Sequence, residues 1–86
     1  MDIFVTVVVR TLDKDRFGVY IPDLDIMQYG NDRVVAFGEA LQLLRAINIY
    51  RISNGLEFKP VVTAQEAQKF CKSTKDFVTV AAISPI

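Results

Sequence analysis

The sequence predicts an α+β fold: a three-stranded antiparallel meander, one long helix packed on it, a short extra helix, and a fourth strand. Three observations carry this. Ile3–Arg10 is an almost unbroken run of β-branched residues. Phe17–Asp32, FGVYIPDLDIMQYGND, reads as a strand, a Pro-Asp corner, a short strand and a helix start. Val34–Ile52 is a long apolar helical pattern that ends at Asn54-Gly55.

The first strand is apolar on both sides, with Ile3, Val5, Val7 and Val9 on one face and Phe4 and Val8 on the other. Such a strand belongs at the centre of a sheet covered on both faces. Leu12–Arg16, LDKDR, is a charged hairpin connection to Phe17–Ile21. Pro22 cannot donate to a ladder, so that strand ends there or lies on an edge. Ile26–Tyr29 is a short third strand, and Gly30 lets the chain turn.

Asn31 or Asp32 caps the long helix, and Asn54-Gly55 stops it. Its polar residues Glu39, Gln42, Arg45, Asn48 and Arg51 form a stripe that their spacing of three makes narrow and slowly rotating. The remaining helix surface is broadly apolar, more than one sheet face needs, which predicts a homo-oligomer, most simply a homodimer. Residues 56–62 read as a loop. Thr63-Ala-Gln-Glu66 is a capping box that opens a short helix to about Lys72. Phe77–Ile83 is the last strand. Its arrival through helices predicts a parallel partner, the first strand, and a spatial order 3-2-1-4.

The 86 residues make one domain, and the 51% apolar content supports one core. No run of about 18 apolar residues spans a membrane. Asp2 follows Met1 and no basic leader is evident, so the expected location is the cytoplasm. Net charge is zero, which argues against a grip on nucleic acid by this domain alone. The charge is unevenly placed along the chain. Residues 1–43 hold seven acids against four bases, and residues 44–86 three against six. An acidic meander predicts a basic partner; a solvated polar surface is the plainer alternative.

Catalytic chemistry is poorly provided for. The chain has no histidine and one cysteine, so histidine metal sites and histidine-based triads are excluded. Cys71 has no histidine base and reads as a packed thiol. The four glycines are dispersed and form no phosphate loop. Neither Ile3–Leu12 nor Phe77–Ile83 contains Asp or Glu, so a two-metal nuclease site of the ribonuclease H kind lacks its ligands. No metal and no cofactor are expected. Asp23 and Asp25 flank Leu24 at the corner. They serve either as turn residues accepting local amides or as a carboxylate pair shown to a basic partner.

DKDRFGVY, the corner IPDL, YGND before the helix, Ala36 and Ala40 within it, NGLEFKP, TAQEA and the final FVTVAAI occur in one order along nearly the whole chain. In that order the sequence resembles the HicB-like antitoxins. The resemblance implies a degraded ribonuclease H-like fold and no enzymatic activity. It also implies a partner, a small basic HicA-like toxin that cleaves messenger RNA. Asp25-Ile26 stands where that family often has Pro-Gly, and Arg33-Val34-Val35 where its first helical turn is commonly acidic. No C-terminal DNA-binding module follows the last strand, so operator binding is not expected. The residues expected to meet the toxin are Tyr20, Asp23, Asp25 and Tyr29. The alternative is a standalone oligomeric scaffold or regulator without a toxin.

Overall fold

A computed structural model describes residues 2–84. Four strands form one sheet in the order β3-β2-β1-β4: β1 Ile3–Asp13, β2 Arg16–Ile21, β3 Ile26–Gly30 and β4 Phe77–Ile83. Helix α1, Arg33–Ser53, covers one face. Helix α2, Ala64–Ala67, continues into a 3₁₀ turn over Gln68–Phe70. The α+β class and the strand order agree with the sequence reading. None of the described helices is long and apolar enough to cross a membrane.

The fourth strand corrects the reading. It runs antiparallel to β1, with Ile3 opposite Ile83 and Val9 opposite Phe77. The reason lies in the route taken by residues 54–76. After α1 the chain contributes Phe58 to the core beneath that helix. It then rounds the Pro22–Asp25 corner, where the amides of Val61 and Val62 donate to Asp23. From there it climbs the opposite face of the sheet. Phe70 packs on Tyr20 with ring centroids 5.0 Å apart, and Ala67 is fully buried. This climb returns the chain to the end where β1 finishes, so β4 must run back down beside it. The right-handed parallel crossover applies to a connection that stays on one face. This one changes faces.

The two faces account for the two-sided apolarity of β1. Val5, Val7 and Val9 join Val19, Ile21, Ala81 and Ile83 under Ala36, Ala40 and Leu44 of α1. Val8 lies on the other face, also fully buried. Truncating a fully buried residue such as Leu44 or Ile21 to alanine should cost about 2–5 kcal/mol.

Local geometry explains other boundaries. The predicted hairpin connection Leu12–Arg16 shrinks to Lys14-Asp15, because a bulge between Thr11 and Asp13 lets β1 continue to Asp13. The Asp15 amide then donates to the Asp13 carboxylate at 3.2 Å. Asp32 is the N-cap of α1, accepting from the Val35 amide at 2.8 Å. Gly55, at φ 71°, ends the helix, with its amide on Ile52 and that of Leu56 on Arg51. The capping box of α2 forms as expected, but the α-helix stops at Ala67 rather than near Lys72. Gly30 does not turn the chain through positive φ. A Cβ there would sit 2.5 Å from the Ala36 amide nitrogen, so glycine is needed to let β3 touch α1.

Asn48 departs from its predicted stripe. It lies in the core line Ala36, Ala40, Leu44, Asn48 and is 1% exposed. A spacing of three falls about 60° short of a full turn at each step. From Glu39 to Asn48 that drift reaches half a turn, so Asn48 faces the opposite way from Glu39.

Candidate functional site

The four residues predicted to meet a partner separate into two groups. Tyr20 and Tyr29 point to the face of the sheet away from α1, because Tyr20 is opposite Met27, Gly18 is opposite Tyr29, and Val19 faces the α1 core. The Tyr20 hydroxyl donates to Asp25 Oδ1 at 2.6 Å. Asp25 is exposed, and it is the non-glycine residue with positive φ, 54°, among those described. Left-handed backbone costs a typical residue about 1–2 kcal/mol, less for Asp and Asn. The turn imposes it: the Leu24 amide donates to Ile21 and that of Asp25 to Pro22. The result is a carboxylate fixed in position at the surface.

Asp23 does something else. Its Oδ1 accepts from the Val61 and Val62 amides at 2.8 and 3.2 Å, and its Oδ2 is buried. It fastens the segment that carries the chain from one face to the other. The two aspartates therefore do not form a carboxylate pair. The turn reading holds for Asp23, which binds the chain's own amides, while Asp25 is exposed and bonded to Tyr20.

Tyr29 is half exposed on β3, an open edge, with the Arg16 guanidinium 5.4 Å from its ring centre. Tyr20, Asp25 and Tyr29 thus share one side of the β2–β3 hairpin. Hydrogen bonding to Asp25, then burial, then the carboxylate's charge hold the Tyr20 phenol above its ordinary pKa. It remains a neutral donor across the physiological range.

Charge is sorted by the ends of the sheet rather than by halves of the chain. The hairpin end carries Lys14, Arg16, Arg33 and Lys75 against Asp13, Asp15 and Asp32. Arg33 lies over the Phe17 ring at 4.8 Å and donates to the Thr11 hydroxyl at 3.2 Å. The corner end carries Asp2, Asp23, Asp25 and Glu57 against Arg51 and Lys59. The meander's acids are thereby divided between the two ends.

Asp76 was not singled out from sequence. Its Oδ1 accepts from the Thr11 amide at 3.0 Å and the Ser73 hydroxyl at 3.2 Å. Its Oδ2 accepts from the Lys72 amide at 2.7 Å, the Ser73 amide at 3.2 Å and Arg10 Nε at 3.4 Å. The role is structural: it joins the start of β4 to the end of β1. The only hint in the sequence is an acidic residue directly before a strand, a signal too common to single it out.

Among the described residues no group of three or more Cys, Asp or Glu side chains converges as a metal site would require. Cys71 is half-buried just after the 3₁₀ turn. Beside α1, an apolar groove of about 330 Å³ runs between Val34 and Phe37 on the helix and Val9, Phe77 and Thr79 on the sheet. No family model matches the chain, and no curated protein or solved structure matches it either.

Proposed function

We propose that this protein is a non-catalytic binding protein of the HicB-like antitoxin kind, which neutralises a small basic HicA-like ribonuclease by covering its RNA-binding surface. The observation that carries the reading is the carboxylate of Asp25, fixed by the turn and by Tyr20 on the same side of the sheet as Tyr29. A toxin that holds RNA needs exposed Arg and Lys side chains. A rigid surface carboxylate accepts charge-assisted hydrogen bonds from them without first losing side-chain freedom. Tyrosines at either side supply apolar area with a polar tip. The open β3 edge adds unpaired backbone groups beside them. On this reading Tyr20, Asp25 and Tyr29 meet the toxin, Asp23 supports the corner from behind, and the protein works in the cytoplasm. Co-expression with a small basic ribonuclease encoded beside it tests the idea: growth should be rescued, and Asp25→Asn should weaken the rescue.

The second reading is a standalone oligomeric scaffold or regulator. It is favoured by the apolar edge formed by β4, described next.

A further inference from the structure

The edge strand β4, FVTVAAI, has no charged residue and no proline, and its seven residues pair with β1 without a bulge. Monomeric proteins guard such edges with lysine, proline or bulges, because a flat apolar edge templates the addition of another strand. Exposed apolar side chains gather along this edge on both faces of the sheet. On the α1 side Phe77 is 44% exposed and opens onto the groove with Val34 and Phe37. On the other side Val80 is 49% and Phe4 63% exposed, and they sit close together because Phe4 pairs with Ala82 and Thr6 with Val80.

We infer that β4 is the self-association edge of this protein: two copies pair their β4 strands antiparallel about a two-fold axis through Val80, giving one continuous eight-stranded sheet. In this register Val80 faces its own copy, Thr79 faces Ala81 and Phe77 faces Ile83 of the second copy. Every pair is apolar or neutral, so no like charges are opposed. The two exposed patches of Val80 and Phe4 merge across the axis. The groove beside Phe77 is closed at its open side by the second copy.

The occupant is a second copy rather than an unrelated strand because of how the charges lie. Antiparallel pairing sets the hairpin end of one copy, where four bases face three acids (Asp13, Asp15 and Asp32), beside the corner end of the other, where four acids face two bases (Arg51 and Lys59, the latter paired with Glu57), so a small excess of each sign meets the other. The match occurs twice, once at each end of the shared edge. Parallel stacking of the same edges would oppose like ends. The zero net charge adds no overall repulsion. The β3 edge stays free, so this inference does not depend on the toxin reading.

Light scattering coupled to size exclusion at micromolar concentration should give twice the chain mass. Val80→Lys, which places two cations opposite each other on the axis, should weaken self-association by about tenfold or more while leaving the circular dichroism unchanged. Register is read by cross-linking in a Cys71→Ser background. Directly opposed residues have Cα atoms about 4.5–5.5 Å apart, within disulfide reach. Val80→Cys should therefore form a dimer on mild oxidation. Thr79→Cys should not, because its copy lies two residues, about 6.6 Å, further along the strand. A wild-type monomer at these concentrations overturns the inference. So does a dimer that survives Val80→Lys and fails to cross-link through Val80→Cys, since it would use another surface. Cross-linking at position 79 in place of 80 would overturn the register.

Discussion

The Tyr20 hydroxyl lies 2.6 Å from the Asp25 carboxylate, whereas Asp23, two residues earlier, is held by the amides of Val61 and Val62. Substitutions at these aspartates should therefore behave differently. Asp25→Asn keeps an acceptor for Tyr20 and a side chain tolerant of positive φ, so thermal stability should change by less than about 1 kcal/mol. Asp23→Ala strands two amides and loosens the segment between the faces, and should cost about 1–3 kcal/mol. A phenolate titration followed by ultraviolet absorbance gives a second readout. Because Tyr20 is held protonated in the folded state, its contribution to stability is full below the ordinary value of 10.0 and fades as pH rises through the raised one. Asp25→Asn should bring that ionisation back down.

Acid should unfold the protein through Asp76. Burial alone would raise this carboxyl, but the hydrogen bonds from Lys72, Thr11 and Ser73 outweigh it and hold the group below its ordinary value of 3.8. A lowered folded value means that the stabilisation is complete above the ordinary value and is lost as pH falls through the folded one. Asp76→Ala should cost about 2–4 kcal/mol at neutral pH, because the amides of Thr11 and Lys72 lose their acceptor. It should also flatten the dependence of melting temperature on pH below the ordinary value of 3.8.

Asn48 offers a route to a more stable protein. Its carboxamide is buried and makes no hydrogen bond to another protein group among the described residues. A buried polar group left without a partner costs about 1–3 kcal/mol. Asn48→Leu keeps the number and branching of the side-chain heavy atoms, with bulkier methyl groups, and continues the line of Ala36, Ala40 and Leu44. It should raise the denaturant midpoint with an unchanged slope.

Gly30→Ala should be among the most damaging small substitutions. The added methyl would meet the backbone of Ala36 at 2.5 and 3.0 Å, which no rotamer change relieves. Pushing α1 off β3 should cost about 1–3 kcal/mol. Gly38→Ala, with nothing within 4 Å of the new methyl, should instead stabilise the helix by up to about 1 kcal/mol. Paired chemical denaturation curves separate the two.

The purified protein should cleave neither RNA nor DNA with added magnesium or manganese. Between Ile3 and Leu12, and throughout Phe77–Ile83, there is no carboxylate to hold a metal, and the chain has no histidine to act in its place. Cleavage that co-purifies with the protein and vanishes in an Asp13→Asn or Asp25→Asn variant would contradict this.

The elements and their order were legible because local signals agreed: β-branched runs, a proline corner, an aspartate cap, an Asn-Gly stop and a capping box. The direction of β4 was not, because it depends on whether residues 54–76 stay on one face or change faces. The residues that decide this, Asp23 and Phe58, act through contacts far away in sequence. Proximity in the chain likewise gave Asp23 and Asp25 the same two alternatives, turn residues or a displayed carboxylate pair. The tight turn between them, with Asp25 at positive φ, sends their carboxylates to different partners. Asn48 was misplaced by the drift of a three-residue spacing around α1, and its burial follows only from the packed helix.

Affinity capture from the native host with mass spectrometry shows whether a partner is gripped through the fixed carboxylate of Asp25. Wild type and Asp25→Asn are used side by side as bait. Wild type should enrich a small basic ribonuclease, and the variant should recover much less of it. Recovery of no such protein by the wild type, or equal recovery by both baits, would contradict that grip.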